Sequence, residues 1–347
     1  MLVARSLIRL FLVLLAVGLA IAPARAQNQT TEQSAAALVT PPADRAIEQG
    51  LAFLASRQQN DGSFGSGAYR GNVAVTALAG LAFMAGGSTP DRGPYGENVS
   101  RTIDYLLANT QQSGFIAAPG SVTHGPMYGH GFAALFLAES YGMTNRPDLR
   151  EKLDKAIALI VNTQNQEGGW RYQPQRADAD ISVTICQVMA LRSAHNAGLH
   201  VPKETIDRCV DYVKRCQNPD GGFSYMLQGG ESAFARSAAG VVALYSAGVY
   251  QGPEITKGLE YLTQFTPAPG VSLNDPYYFY GHYYAVQAMW HAGGKHWEKW
   301  YPAIRDELVS RKRPNGSWID PIDVDYGTAM ACIILQVPNN YLPILQR

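Results

Sequence analysis

Two kinds of apolar pattern alternate along this chain. In stretches such as 204–216 the apolar side chains Ile206, Val210 and Val213 recur at helical spacing, while Asp207, Asp211 and Lys214 point the other way. Stretches such as 183–191 and 241–244 are apolar nearly all round. A one-faced helix belongs on a surface and an all-apolar helix belongs inside. The alternation runs six times. One-faced outer helices are expected at 44–57, 99–110, 150–163, 204–216, 254–264 and 303–311, and apolar inner helices at 72–84, 130–139, 181–194, 234–246, 282–290 and 326–335. Gly86-Gly87 stops the first inner helix in the manner of a C-cap.

Between the helices of a pair stands a repeated phrase. Gln58-x3-Gly62-x-Phe64, Gln164-x3-Gly168-x-Trp170, Gln217-x3-Gly221-x-Phe223 and Lys312-x3-Gly316-x-Trp318 each give a polar side chain, a tight glycine turn and an aromatic. The versions at 110–115 and 264–270 are degenerate. Self-similarity at about 50 residues marks stacked supersecondary units. An inner apolar ring wrapped by an outer amphipathic ring, six pairs in all, closes on itself and leaves no hydrophobic end to cap. The fold expected is therefore all-α, an (α/α)6 toroid of six helical-hairpin repeats filling 43–347 as one domain.

The start of the chain reads differently. Arg5 and Arg9 precede an apolar run and Ala24-Arg25-Ala26 supplies a small-x-small cleavage site, so 1–26 is expected to be a signal peptide. Residues 27–42 form a polar, Ala/Thr/Pro-rich leader. The mature protein is expected to be secreted or periplasmic, with no membrane span after cleavage. Lys+Arg and Asp+Glu are both 28, which leaves no net field to gather nucleic acid. Of the four cysteines, Cys209 and Cys216 lie two helical turns apart, about 10 Å, too far to bridge. A bond from Cys186 to either stays open, beside four buried free thiols.

Aligned on their glycine stops, the inner helices carry Asn72, His130, Asp180, Arg236, His282 and Asp325 near their starts. Parallel inner helices would set these six around one mouth of a central cavity, where free helix N–H groups also gather. Tyr128-Gly-His130 and Tyr280-Gly-His282 repeat one signal in two units. Asp180 and Asp325 also suit plain N-caps, and the aromatic cluster 277–284, including Tyr283 and Tyr284, also suits plain core.

The glutamine-glycine-aromatic phrase resembles the repeat of squalene–hopene and oxidosqualene cyclases, whose fold also serves the β-subunit of protein prenyltransferases. Asp178-Ala-Asp180 resembles the acidic motif of those cyclases, with Ile181 where a third aspartate would stand. That likeness implies Asp180 as the acid that protonates an alkene, Asp178 as its partner, and His130 or His282 as reprotonating groups. Tyr128, Arg236, Tyr280, Tyr283 and Asp325 would then bind a hydrophobic, isoprenoid-type small molecule. The zinc-binding Asp-x-Cys of the prenyltransferases is missing, since Ser182 and Gly327 stand two residues after Asp180 and Asp325, so neither metal nor other cofactor is expected. The related cyclases use two helical domains, which would make this chain a homodimer or one half of a complex. A secreted, non-catalytic binding module and a carbohydrate-active (α/α)6 enzyme are the alternatives.

Overall fold

The computed structural model describes residues 37–268 and 275–346. The signal peptide expected at 1–26 and the leader up to residue 36 lie outside the described residues. From Pro41 onward the chain forms one unit of six helix pairs. The outer helices are α1 (Pro41–Arg57), α3 (Gly96–Ala108), α5 (Pro147–Thr163), α7 (Lys203–Arg215), α9 (Pro253–Thr263) and α11 (Gly294–Arg311). The inner helices are α2 (Val73–Ala85), α4 (Pro126–Tyr141), α6 (Ile181–Asn196), α8 (Phe234–Ser246), α10 (Tyr278–Ala292) and α12 (Val324–Gln336). Each inner helix packs on the next in the order α2, α4, α6, α8, α10, α12, and α12 returns to α2. This is the expected closed toroid. Among the described residues no helix is long and apolar enough to cross a membrane.

The repeated phrase makes the seams. In three repeats the glutamine amide donates twice, to its own turn and to the next outer helix. Gln58 Nε2 reaches Gly62 O and Asn98 O, both at 3.0 Å; Gln164 reaches Gly168 O at 2.9 Å and Thr205 O at 2.8 Å; Gln217 reaches Gly221 O and Glu254 O, both at 2.9 Å. The turn glycine has positive φ, and the next outer helix lies directly against it. A Cβ on Gly168, at φ +101°, would sit 2.2 Å from Arg208 O. The aromatics Phe64, Trp170, Phe223 and Trp318 are buried between the rings. Their backbone N–H groups donate to a hydroxyl on the inner helix: Thr76, Thr184, Ser237 and Thr328 respectively.

Helix starts depart from expectation in two informative places. Helix α4 begins at Pro126 and α10 at Tyr278, a full turn before the expected starts at His130 and His282. Pro126 takes the first helical position, where its missing N–H costs nothing. The last helix is capped by Asp323, whose Oδ1 accepts from Asp325 N at 2.7 Å, so Asp325 stands inside the first turn and is not the cap. All four cysteines are buried free thiols.

Candidate functional site

A cavity of about 490 Å³ opens among the N-terminal ends of the inner helices, within the roughly 300–1,000 Å³ usual for small-molecule sites. Its wall is set by one register. The residue two before each turn-tying hydroxyl lines it: Ala74, Ser182, Ala235 and Tyr326. Two residues of helix rotate a side chain by about 200°, so the tie faces the outer ring and its neighbour faces the axis. Tyr128 and Tyr280 complete this six-membered wall. Tyr280 donates to Ser182 O at 2.7 Å, and its ring meets Tyr128 edge-on at 6.4 Å. Loops add Tyr69, His124, Tyr172, Tyr225 and Tyr277 nearer the opening.

The same register explains the histidines. His130 holds the tie position of the second repeat: its Nδ1 accepts from Ile116 N at 3.2 Å, where other repeats use a threonine or serine. Its Nε2 sits 3.3 Å from Ala156 O on α5, and burial pushes its pKa down to about 4. His282 stands equivalently in the fifth repeat. It is wholly buried, packs against Phe234, Tyr278 and Trp300, and neither ring nitrogen has a hydrogen-bond partner among the described residues. Burial lowers its pKa to about 3. The expectation that both histidines ring the mouth is corrected: they face away from the cavity, and only the tyrosine of each Tyr-Gly-His faces in.

The remaining expected residues divide likewise. Arg236 lines the cavity, with its guanidinium held by Phe223 O at 3.1 Å and by Glu231 O. Asn72 lines it while capping α2, accepting from Ala74 N at 2.9 Å. Asp325 is instead fully buried, with Arg57 Nε and Gly65 N donating to it at 3.0 Å each. It joins the sixth repeat to the first and does not reach the mouth. Tyr283 is buried against Phe132 and Tyr284 beside the cavity wall.

Asp180 caps α6, its Oδ1 accepting from Val183 N at 2.8 Å, and has no exposed surface. Its Oδ2 lies 3.8 Å from Arg171 Nε, beside the Tyr225 hydroxyl, and burial raises its pKa to about 6. Asp178 is half exposed and binds Arg171 Nη1 at 2.6 Å. Arg171 stacks over Tyr172 and Tyr225, whose hydroxyls bond to each other. Asp180 therefore stands behind the wall that Tyr172 and Tyr225 present to the cavity.

One residue at the cavity carries chemistry that the sequence reading passed over. Asp320 lines the wall from the loop after Trp318, and burial, with Asp323 adding to it, pushes its pKa up to about 6. Its Oδ1 accepts from Ile322 N at 2.8 Å. Its only sequence signal is its place two residues after a repeat aromatic. Among the described residues no cluster of histidine, cysteine and carboxylate side chains is arranged to hold a metal ion.

Comparison with known proteins agrees with the fold. The chain is 27% identical over 178 residues to drimenyl diphosphate synthase from Streptomyces showdoensis, across 51% of this chain and 32% of that protein. It thus spans about a third of that relative's length. The type II terpene cyclase MstE from Scytonema superposes with a TM-score of 0.60 at 14% identity, over 87% of this chain and 98% of that one. A GH76 α-mannanase from Bacteroides thetaiotaomicron superposes with a TM-score of 0.63 at 12% identity, over 86% and 96%. At these identities the superpositions speak to the fold alone. Matches to one family model cover residues 35–153 and 96–267, more than half of the sequence. The chain belongs to the prenyltransferase alpha-alpha toroid domain family, and its fold is terpenoid cyclase-like.

Proposed function

We propose that the protein takes a linear isoprenoid into this cavity and cyclises it by acid-initiated carbocation chemistry, working outside the cytosol after removal of 1–26. The observation that carries the reading is the wall itself: Tyr128, Tyr280 and Tyr326 at axis-facing helix positions, with Phe132, Tyr172 and Tyr225 beside them. Aromatic faces hold a passing positive charge without reacting with it. The tyrosine hydroxyls stay protonated, because burial raises the pKa values of Tyr128, Tyr280 and Tyr326 well above 10. One barrel is enough for the reading, since the Scytonema cyclase is matched over 98% of its length by this single toroid. That protein has been captured with geranylgeranyl dihydroxybenzoate as substrate and merosterolic acid A as product.

The test is incubation of purified protein with farnesol, geranylgeraniol and squalene, followed by mass-resolved chromatography. Cyclic isomers of unchanged mass are the expected product. Ligand-dependent thermal stabilisation without any product would make the protein a binding module of the same cavity. Neither stabilisation nor product from any of the three would sink the isoprenoid reading.

A further inference from the structure

We propose that the proton donor of this cavity is Asp320, on the loop after the sixth repeat's tryptophan, and that the acidic pair in the third repeat serves only to position the cavity wall. The proposal rests on the isoprenoid reading above and names the group that starts the reaction.

Access separates the carboxylates. Asp180 has no exposed surface and does not line the cavity: its Oδ1 caps α6, and its Oδ2, without a hydrogen-bond partner among the described residues, lies 3.8 Å from Arg171 Nε behind the Tyr172–Tyr225 pair. A proton on it would have to pass the Tyr225 and Tyr172 hydroxyls to reach a ligand. Asp178 is half exposed and bound to Arg171. Asp325 is consumed by Arg57 and Gly65. Asp275 lines the cavity from its lip, beside the exposed Tyr277, and its Oδ1 accepts from Tyr277 N at 2.8 Å. Asp320 alone among the described carboxylates combines burial, with 8% of its surface exposed, and a place in the cavity wall. Its Oδ1 is fixed by Ile322 N at 2.8 Å, so a proton on this carboxyl is carried by Oδ2.

The loop that presents Asp320 is held against α12 by an absent side chain. A Cβ on Gly327 would stand 3.0 Å from Asp320 Cβ and 2.9 Å from Trp318 O. The carboxyl is thereby set on the backbone of the helix that also contributes Tyr326. Burial raises this carboxyl to about 6, so most molecules carry its proton below pH 6 and a minor fraction do at neutral pH, and the aromatic wall stabilises the cation left on the alkene that takes the proton.

The step balances without a co-reactant. The Oδ2–H bond of Asp320 breaks and its proton joins one carbon of an alkene through the π electron pair, leaving a cation on the other carbon. A neighbouring alkene closes a ring onto that cation. The last cation loses a proton from an adjacent carbon to solvent at the mouth, and solvent returns a proton to the Asp320 carboxylate. Ile322 N–H holds the carboxylate in the interval.

Three variants and one spectrum test this. Asp320→Asn keeps the acceptor for Ile322 N–H, so it is expected to bind the saturated probe squalane within about twofold of the wild-type protein while kcat falls about 100-fold or more. Asp180→Asn is expected to change kcat by less than about tenfold, a positioning loss well short of the general-acid range. Gly327→Ala, which pushes on the Asp320 loop, should lower kcat with KM unchanged. An infrared difference spectrum of wild type minus Asp320→Asn should show a protonated carboxyl at pH 5 that fades as pH rises through about 6. Turnover retained in Asp320→Asn and lost in Asp180→Asn overturns the assignment, as does a carboxylate already ionised at pH 5. Failure of squalane to bind the wild-type protein would strike the isoprenoid reading instead, and the spectrum, which needs no ligand, still decides the state of Asp320.

Discussion

A histidine in a central helix invites a catalytic role, and His130 shows how little residue type alone decides. Its nitrogen does the work of a threonine hydroxyl, accepting the backbone N–H that follows the second turn. His130→Ala leaves Ile116 N–H without a partner and Ala156 O with only its own helix's donor, and about 1–3 kcal/mol of unfolding free energy should be lost in urea titrations. His130→Thr places the side chain used by three other repeats and should recover part of that loss. The two proteins should also differ with pH. The folded pKa of His130 is lowered to about 4 from an ordinary 6.5 by burial. The unfolded chain therefore binds the proton first as pH falls, and the stability contributed by the neutral ring is present above 6.5 and lost between about 6.5 and 4. Denaturation at pH 7 and pH 5 should show a larger drop for wild type than for His130→Thr, with His282 contributing equally to both.

At the level of helices and turns, pattern specified most of the structure. All six pairs were legible from apolar period and from the repeated turn, and helix ends moved by only a few residues except at α4, α10 and α11. What the pattern did not fix was rotation about each inner helix. Counted from the residue after the turn to its tie on the inner helix, the bonded pairs are 12, 14, 14, 14 and 10 residues apart in the first, second, third, fourth and sixth repeats. Alignment on the glycine stops does not see this register, and it sets caps such as Asn72 and Asp180, which stand four residues before their own ties, level with ties such as His130 and His282. A slip of two residues turns a side chain from the outer ring to the axis. The structural register restores a consistent wall of small residues at Ala74, Ser182 and Ala235 against large ones at Tyr128, Tyr280 and Tyr326. If that wall measures the ligand, Ala235→Phe should shift the preferred isoprenoid toward shorter chains by taking space from the cavity. Competition between farnesol and squalene, read by thermal stabilisation, checks it: farnesol should keep its effect and squalene should lose most of its own.

For the unit as a whole, closure gives the cavity its walls. The seam between the sixth and first repeats lacks the glutamine tie but uses the same glycine-on-carbonyl contact as the seams at Gly62, Gly114, Gly168 and Gly221. Gly316, at φ +88°, is pressed against Gln49 O of α1, where a Cβ would stand 2.5 Å away. Asp325 binds Arg57 and Gly65 across the same seam, and Gln336 Nε2 donates to Ala82 O at 3.1 Å near its other end. At the end opposite the mouth, Glu139 Oε2 accepts from Ile344 N at 3.1 Å and Trp290 Nε1 donates to Leu345 O at 2.8 Å, so the chain's last turn seats among the inner helices there. In an open superhelix the first and last repeats never meet, and strain at Gly316 would be relieved into solvent. In a ring it has nowhere to go. Gly316→Ala and Gly168→Ala each force an alanine into a left-handed backbone, at about 1–2 kcal/mol before the steric overlap is counted, and each drives a Cβ onto a neighbouring helix carbonyl. The two variants should therefore lose stability equally, to within about 0.5 kcal/mol, in matched urea titrations. A Gly316→Ala protein as stable as wild type beside a weakened Gly168→Ala protein would mean that the sixth and first repeats are not joined, and the six-sided wall would lose one side.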